Sequence, residues 1–496
     1  MLSLLFLLAL FIILPLLMFF HKHRKNYPPA GPKGLPIIGN LHQLDINNLY
    51  LQFSQFSKIY GPLFSLQLGF RQAIVVSSAE IAKEVLKNND HVFSNRPKLY
   101  GQQKLTYNGS EIVFSQYGDF WREIRKICVV HIFSAKRVSY YSSIRKFEVK
   151  KMIEKISRHA TSSSVTNLSE LLISPSSTII CRIAFGKSYE NDGNERSRFH
   201  GLLHEFQALL AEFFVSDYIP FMGWFDKLRG LHGRLDRNFK EFDEFYQEII
   251  DEHLDPNRQQ IAGEEDIVDV LLKLMKKHSF SFDFTFDHIK AVLVDMLVAA
   301  TDTTSATSVW AMTTLIKNPR VMKKLQEEIR NTGVKKDFLD EDDIQNFPYF
   351  KAVIKEILRL HLPAPLLVPR ESREKCIISG YDIPAKTIVY VNAWAIQRDH
   401  NIWKNPGEFY PERFLENSIN FIGQDFELIP FGAGRRICPG MSMAAASLDL
   451  ILANLLYSFD WKLPHGFVKE DIDTEMLPGI TQHKKNPLYL VANIHI

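Results

Sequence analysis

The chain has 496 residues, 46% of them hydrophobic, and a formal net charge of only +3. A chain of this size and polarity buries a large core, and it lacks the basic excess of a nucleic-acid binder. Its four cysteines, Cys128, Cys181, Cys376 and Cys438, have no paired spacing, so they do not read as a disulfide or zinc framework and point to a reducing compartment.

The first element is "LSLLFLLALFIILPLLMFF", residues 2–20. It is uncharged and about 29 Å long as a helix, close to the ~30 Å hydrocarbon core of a bilayer. The basic start and small-residue cleavage site of a signal peptide are not evident. "HKHRK" follows directly, and such a flank stays in the cytosol. Residues 1–25 are therefore expected to form a retained single-pass anchor with its basic flank, in the endoplasmic reticulum membrane of a eukaryotic cell. Membrane lipid is then a partner and the body faces the cytosol. Asn108 in "NGS" and Asn167 in "NLS" match the glycosylation pattern but stay bare in that topology.

Pro28, Pro29, Pro32 and Pro36 make residues 26–40 a stiff proline-rich hinge. After it no Gly/Ser linker, charge block or repeat divides the chain. Residues 41–496 are expected to form a single catalytic domain, although length alone would allow about three. The body reads as mainly α with small β-sheets. "LGFRQAIVVSS" and "IVYVNAW" are the clearest strands, and most other segments carry helical periodicity.

"GDFWREIRKI" sets Trp121 and Arg125 one turn apart on a helix, a spacing that usually makes a cation–π contact. A helix of about 48 Å is predicted from Phe286 to Lys317, apolar nearly all round in its first half and hence central. "AATDTTS" places Asp302 and several hydroxyls in the middle of that rod. Hydroxyls in such a place commonly bond back to the preceding turn, but a carboxylate at that depth is costly unless paired. "KEILRLH" then puts Glu356 and Arg359 on one helix face, where they can pair. "LPAPLLVPRES" and "FYPERF", with Arg413, follow.

The last informative stretch is "FGAGRRICPG", residues 431–440. Pro439 fits the first position of the apolar helix that follows, which makes Cys438 its cap. Unpaired N–H groups and the dipole of a helix start favour a thiolate, the form that ligates metals. Gly432 and Gly434 let the backbone pass close to something flat, and Arg436 suits a carboxylate. The stretch asks for a metal-seeking sulfur and a partner that carries carboxylates.

Together, and in this order, the pieces resemble the cytochrome P450 family of haem-thiolate monooxygenases over the whole chain. "PPAGPKGLP", "RLHLPAPLLVPRES" and "FELIPFGAGRRICPG" look like its plant A-type branch. "VWAMTTLIKNPRVMKKLQEEIR" is loosely similar to the subgroup that includes aldoxime-oxidising enzymes. The resemblance implies the cytochrome P450 fold behind an N-terminal transmembrane helix. It implies haem b (iron protoporphyrin IX) with Cys438 as axial ligand of the iron. Trp121, Arg125, Arg370 and Arg436 are placed like the residues that hold the propionates. Glu356, Arg359 and Arg413 match the structural triad. Asp302 and Thr303 match the acid–alcohol pair that supplies protons on the distal side. Electrons from NADPH would arrive through an NADPH–cytochrome reductase, and O2 would be the oxidant.

By the same analogy a small-molecule pocket is lined by Ile112, Phe114, Phe213, Ala299, Leu366 and Ile480. These residues are apolar or aromatic, so a small or medium apolar metabolite is expected, taken by hydroxylation or by N-oxidation such as aldoxime oxidation. Two positions depart from the pattern: Ala300 stands where glycine is usual, and Leu362 where proline is common. A haem-thiolate isomerase or dehydratase that needs no O2, and a membrane-anchored haem sensor or carrier, are the alternatives. The intact threonine and cysteine loop favour the monooxygenase.

Overall fold

The mostly apolar run 289–297 lies in a helix covered on nearly all sides, and that helix organises the fold. The computed structural model describes residues 28–189, 193–258, 265–277, 280–331 and 336–495. The expected anchor, residues 2–20, and its flank, 21–25, lie outside them. Five helices position the site: α1 (Asp119–Ile127), α2 (Leu168–Phe185), α3 (Phe286–Lys317), α4 (Pro348–Leu360) and α5 (Met441–Ser458). The 32-residue α3 has the bounds read from the sequence. The Thr285 N–H donates to His288 Nδ1 at 3.1 Å to cap its start, and Pro319, which opens the next helix, stops its continuation.

Helices α2 and α5 both pack along α3. Asn167 caps α2 by accepting the Glu170 N–H at 3.2 Å, and Gly186 ends it in the left-handed conformation. Both α2 and α5 are long and apolar enough to cross a membrane, yet 72% and 56% of their apolar windows are buried inside the body. They are core helices.

Among the described residues nine short strands complete the fold: β1 (Leu63–Leu68), β2 (Arg71–Val76), β3 (Thr166–Asn167), β4 (Arg370–Glu371), β5 (Cys376–Ile378), β6 (Tyr381–Ile383), β7 (Ile388–Val391), β8 (Phe459–Lys462) and β9 (Tyr489–Ile494). The main sheet has the order β1-β2-β7-β4. Only its β2–β7 pair is parallel, with Ala73 opposite Ile388. Both strands read most clearly from the sequence, β2 and β7, meet there.

Two buried charge clusters tie the layers together. Glu356 on α4 accepts two hydrogen bonds from Arg359, at 2.7 and 2.8 Å, and one from Arg413 at 3.2 Å. Arg359 also donates to the carbonyls of Gln397 and Pro406, both at 2.8 Å, and both guanidinium groups lie over the Trp403 ring. The triad therefore fastens α4 to the long meander that leads to the cysteine loop. In the second cluster, Asp295 on α3 accepts the Ile112 N–H at 2.9 Å. Neighbouring Glu111 accepts from the amides of Val113 and Phe114. Glu111 is fully buried, and Asp295, which keeps some accessible surface, still lies deep in the body. Burial, followed by the adjoining Glu111 charge and hydrogen bond, raises the Asp295 carboxyl well above the ordinary range. Two touching carboxyls cannot both ionise in such surroundings. Burial raises Glu111 too, but the Asp295 hydrogen bond, the Val113 and Phe114 amides and Arg436 pull it back, so of the two it is Asp295 that keeps the proton.

Two outcomes follow from these clusters. Glu356→Gln leaves two arginines without their counter-charge, and we predict a loss of about 3–5 kcal/mol in chemical denaturation. A loss below ~1 kcal/mol would show that the triad holds nothing. A carboxyl with a raised folded-state pKa contributes stability that is present below its unfolded value, near pH ~4, and lost as pH rises through the folded value. Asp295→Asn mimics the protonated form, so its stability is predicted to gain on the wild type as pH rises from ~4 to ~8. Parallel stability–pH curves would mean that the pair does not share a proton.

Candidate active site

The cysteine loop departs in one respect from its sequence reading. Helix α5 starts at Met441 with Gly440 as its cap, so Cys438 is not the capping residue and Pro439 is not in the first turn. The sulfur nevertheless faces the helix start, where the amides of Gly440 and Met441 favour its charged form. The Cys438 N–H donates to the Phe431 carbonyl at 3.0 Å and closes the loop. Burial raises the Cys438 thiol pKa, while the two amides and the Arg125 charge pull it down. Burial wins, contrary to the lowered pKa expected from the helix start alone; the amides and Arg125 are what remains to stabilise a thiolate.

The two glycines have different roles. A Cβ on Gly434 would lie 1.9 Å from the Leu86 carbonyl oxygen, so that glycine serves a contact within the protein. A Cβ on Gly432, which also has positive φ, would meet only Leu367 Cδ1 at 3.8 Å. Of the pair, Gly432 alone fits the expected approach to a flat group.

Around the loop lies an unbalanced set of cations. Arg436 donates to the carbonyls of Ser94 (2.9 Å), Ile112 (3.0 Å) and Ser115 (2.5 Å) and sits 4.3 Å over the Trp121 ring. Trp121 gives its own N–H to the Ile112 carbonyl at 3.0 Å. Arg125, at 6.0 Å from the same ring, donates to the Ile437 carbonyl at 2.5 Å. Arg370 donates to the Ala433 carbonyl at 2.9 Å, and its Nη1 is buried without a partner. Arg96, which the sequence reading missed, donates to Val113, Val368 and Pro369.

Burial lowers the pKa of Arg370 to about 10. Burial and then the charge of Arg370 lower Arg436 to about 9. Burial and then Arg436 and Arg370 depress Arg96. Glu111 opposes two of these charges and Asp90 the third. A buried cationic surplus with an orphaned guanidinium nitrogen suits a ligand that brings carboxylates. With Cys438 beside it, the set fits a haem: the sulfur for the iron, and Arg96, Arg125, Arg370, Arg436 and Trp121 for the propionate side.

On α3 the cover is broken at mid-length. Residues 298–300, 302 and 303 keep accessible surface, whereas 289–294 and 304–315 are buried. Ala299 is the most open of them, and α3 runs unbroken through Ala300. Thr303 Oγ1 donates to the Ala299 carbonyl at 2.7 Å, and Ser305, Thr307 and Ser308 bond back in the same way. The Thr303 lone pairs are left to accept a hydrogen bond. Asp302 Oδ1 lies 2.6 Å from Nε2 of His483, a partner that sequence reasoning did not find.

The six pocket candidates do not form one cluster. Phe213 and Leu366 pack against the group that contains Tyr218, Ile219 and Ile388, and Phe213 stacks on Tyr218 at 5.0 Å. Ile112 belongs to the main core, Phe114 is buried, and Ile480 is half-buried. Leu362 is fully buried in the cluster beneath the main sheet and makes no part of an open wall.

The family model for cytochrome P450 matches residues 29–491. Cytochrome P450 71A9 of Glycine max is 48% identical over 95% of this chain and 93% of its own length. Xanthotoxol synthase of Pastinaca sativa is 45% identical, over 98% of this chain and 99% of its own. Strychnine-11-hydroxylase of Strychnos nux-vomica is 46% identical, over 95% and 92%. Among solved structures, a zebrafish cytochrome P450 with abiraterone superimposes with a TM-score of 0.76 at 25% identity, covering 90% of this chain and all of that one. These matches, spanning both the cysteine loop and the acid–alcohol helix, place the chain in the cytochrome P450 family as a monooxygenase of the plant A-type branch.

Proposed function

We propose that the chain inserts one oxygen atom from O2 into a small or medium apolar plant metabolite, preferably a flat ring system. The observation that carries this reading is the buried cationic surplus around Cys438, with Arg370 Nη1 unpaired. Haem b, when bound, supplies oxygen activation at its iron. Cys438 would provide the sulfur ligand, whose thiolate the Gly440 and Met441 amides favour. Arg96, Arg125, Arg370, Arg436 and Trp121 neutralise and orient the propionates.

Thr303 has spent its hydroxyl proton on the Ala299 carbonyl, so it holds a water by accepting that water's hydrogen bond. Asp302 on the same turn moves protons to that water. An O2-independent rearrangement has no use for such a pair, and neither does a haem carrier. Two relatives are named for making xanthotoxol and for hydroxylating strychnine, and this ranks ring hydroxylation ahead of aldoxime oxidation. The stacked Phe213–Tyr218 pair supports it. Electrons would come from NADPH through a reductase.

We further infer an endoplasmic-reticulum location, with residues 1–25 as a single-pass anchor and the body in the cytosol. The described body adds exposed apolar side chains at Phe221, Trp224 and Leu228, 64%, 57% and 76% accessible, which suit a membrane surface.

Cys438→His is the test of the central claim. The reduced wild type with carbon monoxide is expected to show the absorption band of thiolate ligation, and the variant to lose both band and turnover. A band that survives in the variant refutes the ligand assignment. Deleting residues 1–25 is expected to leave a folded haem protein that still sediments weakly with membranes, and protease on intact microsomes should digest the body of the full chain. Protection of the body, or glycans on Asn108, would reverse the topology.

A further inference from the structure

Asp302 has a specific partner. Its Oδ1 lies 2.6 Å from Nε2 of His483, on the loop between β8 and β9. The two side chains grade from the inside outward, with Asp302 13% and His483 33% accessible. The loop around His483 is built to hold it. Gln482, next to it, donates its N–H to the Pro363 carbonyl at 2.9 Å and receives the Trp310 indole N–H at 2.9 Å. Trp310 belongs to α3 and stacks flat on His361 at 4.9 Å. The Leu477 N–H closes the other side on the His483 carbonyl at 2.9 Å. Helix α3 thus presents Asp302 and, two turns later, secures the loop that carries its partner.

Other charges nearby are occupied. Lys484 is paired with Asp473 at 2.9 Å and Lys485 with Glu475 at 2.7 Å. Among the described residues no lysine or arginine is paired with Asp302. A lysine or arginine would hold a carboxylate as well as histidine does, but imidazole is the side chain suited to give up and regain a proton near neutral pH.

We propose that His483 is the solvent-side member of the distal relay, a positioning residue that orients Asp302 and supplies its proton. The proposal rests on the monooxygenase reading above. In the step, the Nε2–H bond of the imidazolium breaks and an O–H bond forms on Asp302 Oδ1, leaving neutral imidazole with its proton on Nδ1. Asp302 turns to the water at Thr303, releases that proton there and returns as carboxylate. While Asp302 is turned away, Nε2 takes a proton from solvent water at the accessible edge of the ring. One proton enters from bulk and one reaches the distal water in each cycle, with no change in oxidation state.

The test compares His483→Gln, His483→Lys, Asp302→Asn and Thr303→Ala with the wild-type holoenzyme on a substrate that it turns over. His483→Gln is expected to keep the carbon monoxide spectrum and to form about tenfold less product per NADPH. Its solvent deuterium isotope effect should rise. Turnover driven by hydrogen peroxide, which brings its own protons, should stay within about twofold of wild type. His483→Lys keeps a donor for Asp302 and is expected to restore stability without restoring coupling. A readout that does not depend on turnover is the thermal stability of the Asp302→Asn/His483→Gln double variant, where the two effects should be non-additive.

Wild-type coupling in His483→Gln, with Thr303→Ala uncoupled, would overturn the role of His483 and leave the proposed function standing. Wild-type coupling in Thr303→Ala as well would overturn the relay and the proposed function together. Full coupling in His483→Lys would overturn proton supply. Loss of peroxide-driven turnover in His483→Gln would reduce the histidine to a structural prop.

Discussion

A charge cannot be left alone in the interior of a protein, and each part of this structure is a different answer to that constraint. Around Glu356 the answer is closure: one carboxylate, two guanidinium groups and a ring of carbonyls satisfy one another. Between Glu111 and Asp295 it is a shared proton, which removes one of two negative charges while keeping every amide bonded. Around Arg96, Arg370 and Arg436 the protein's own groups leave the balance open. That open balance is one that a carboxylate-bearing ligand would complete.

Two of these clusters are mechanically connected. Arg436 and Trp121 both bond the Ile112 carbonyl, while Asp295 accepts the Ile112 N–H from the other side. The short segment 111–115 is therefore strung between the cysteine loop and the central helix. One backbone segment joins the cysteine loop to the central helix, so a movement of either is felt at Ile112 and Phe114.

Much of this was legible in the residues because its signals are local. The apolar run 289–297 and the proline after Asn318 define α3, and the β-branched runs in 74–76 and 388–391 define the two strands that meet in the main sheet. Glu356 and Arg359 lie three residues apart on one helix. What escaped was non-local or decided by a few ångströms. His483 and Asp302 are 181 positions apart, and nothing around either one names the other. Arg96 sits in "FSNRP", where nothing local signals that the arginine is buried. Asp295 reads as a lone acid in the apolar first half of α3, because Glu111 comes from a distant loop. The start of α5 was placed too early, since proline after cysteine imitates a first helical turn when Gly440 is the true cap. Gly434 was assigned to the cofactor because a positive-φ glycine does not reveal which neighbour needs the space.

The parallel pairing of β2 with β7 sets the order of events during synthesis. Ala73 waits for Ile388, and at ~5–20 residues per second the ribosome needs on the order of 15–60 s to make the stretch between them. Throughout that interval the "QAIVV" edge, four of whose residues end up buried, can pair only with β1 and is open to neighbouring chains. Closing this sheet, which is a late and non-local event, is the stage at which the nascent protein is most exposed to aggregation.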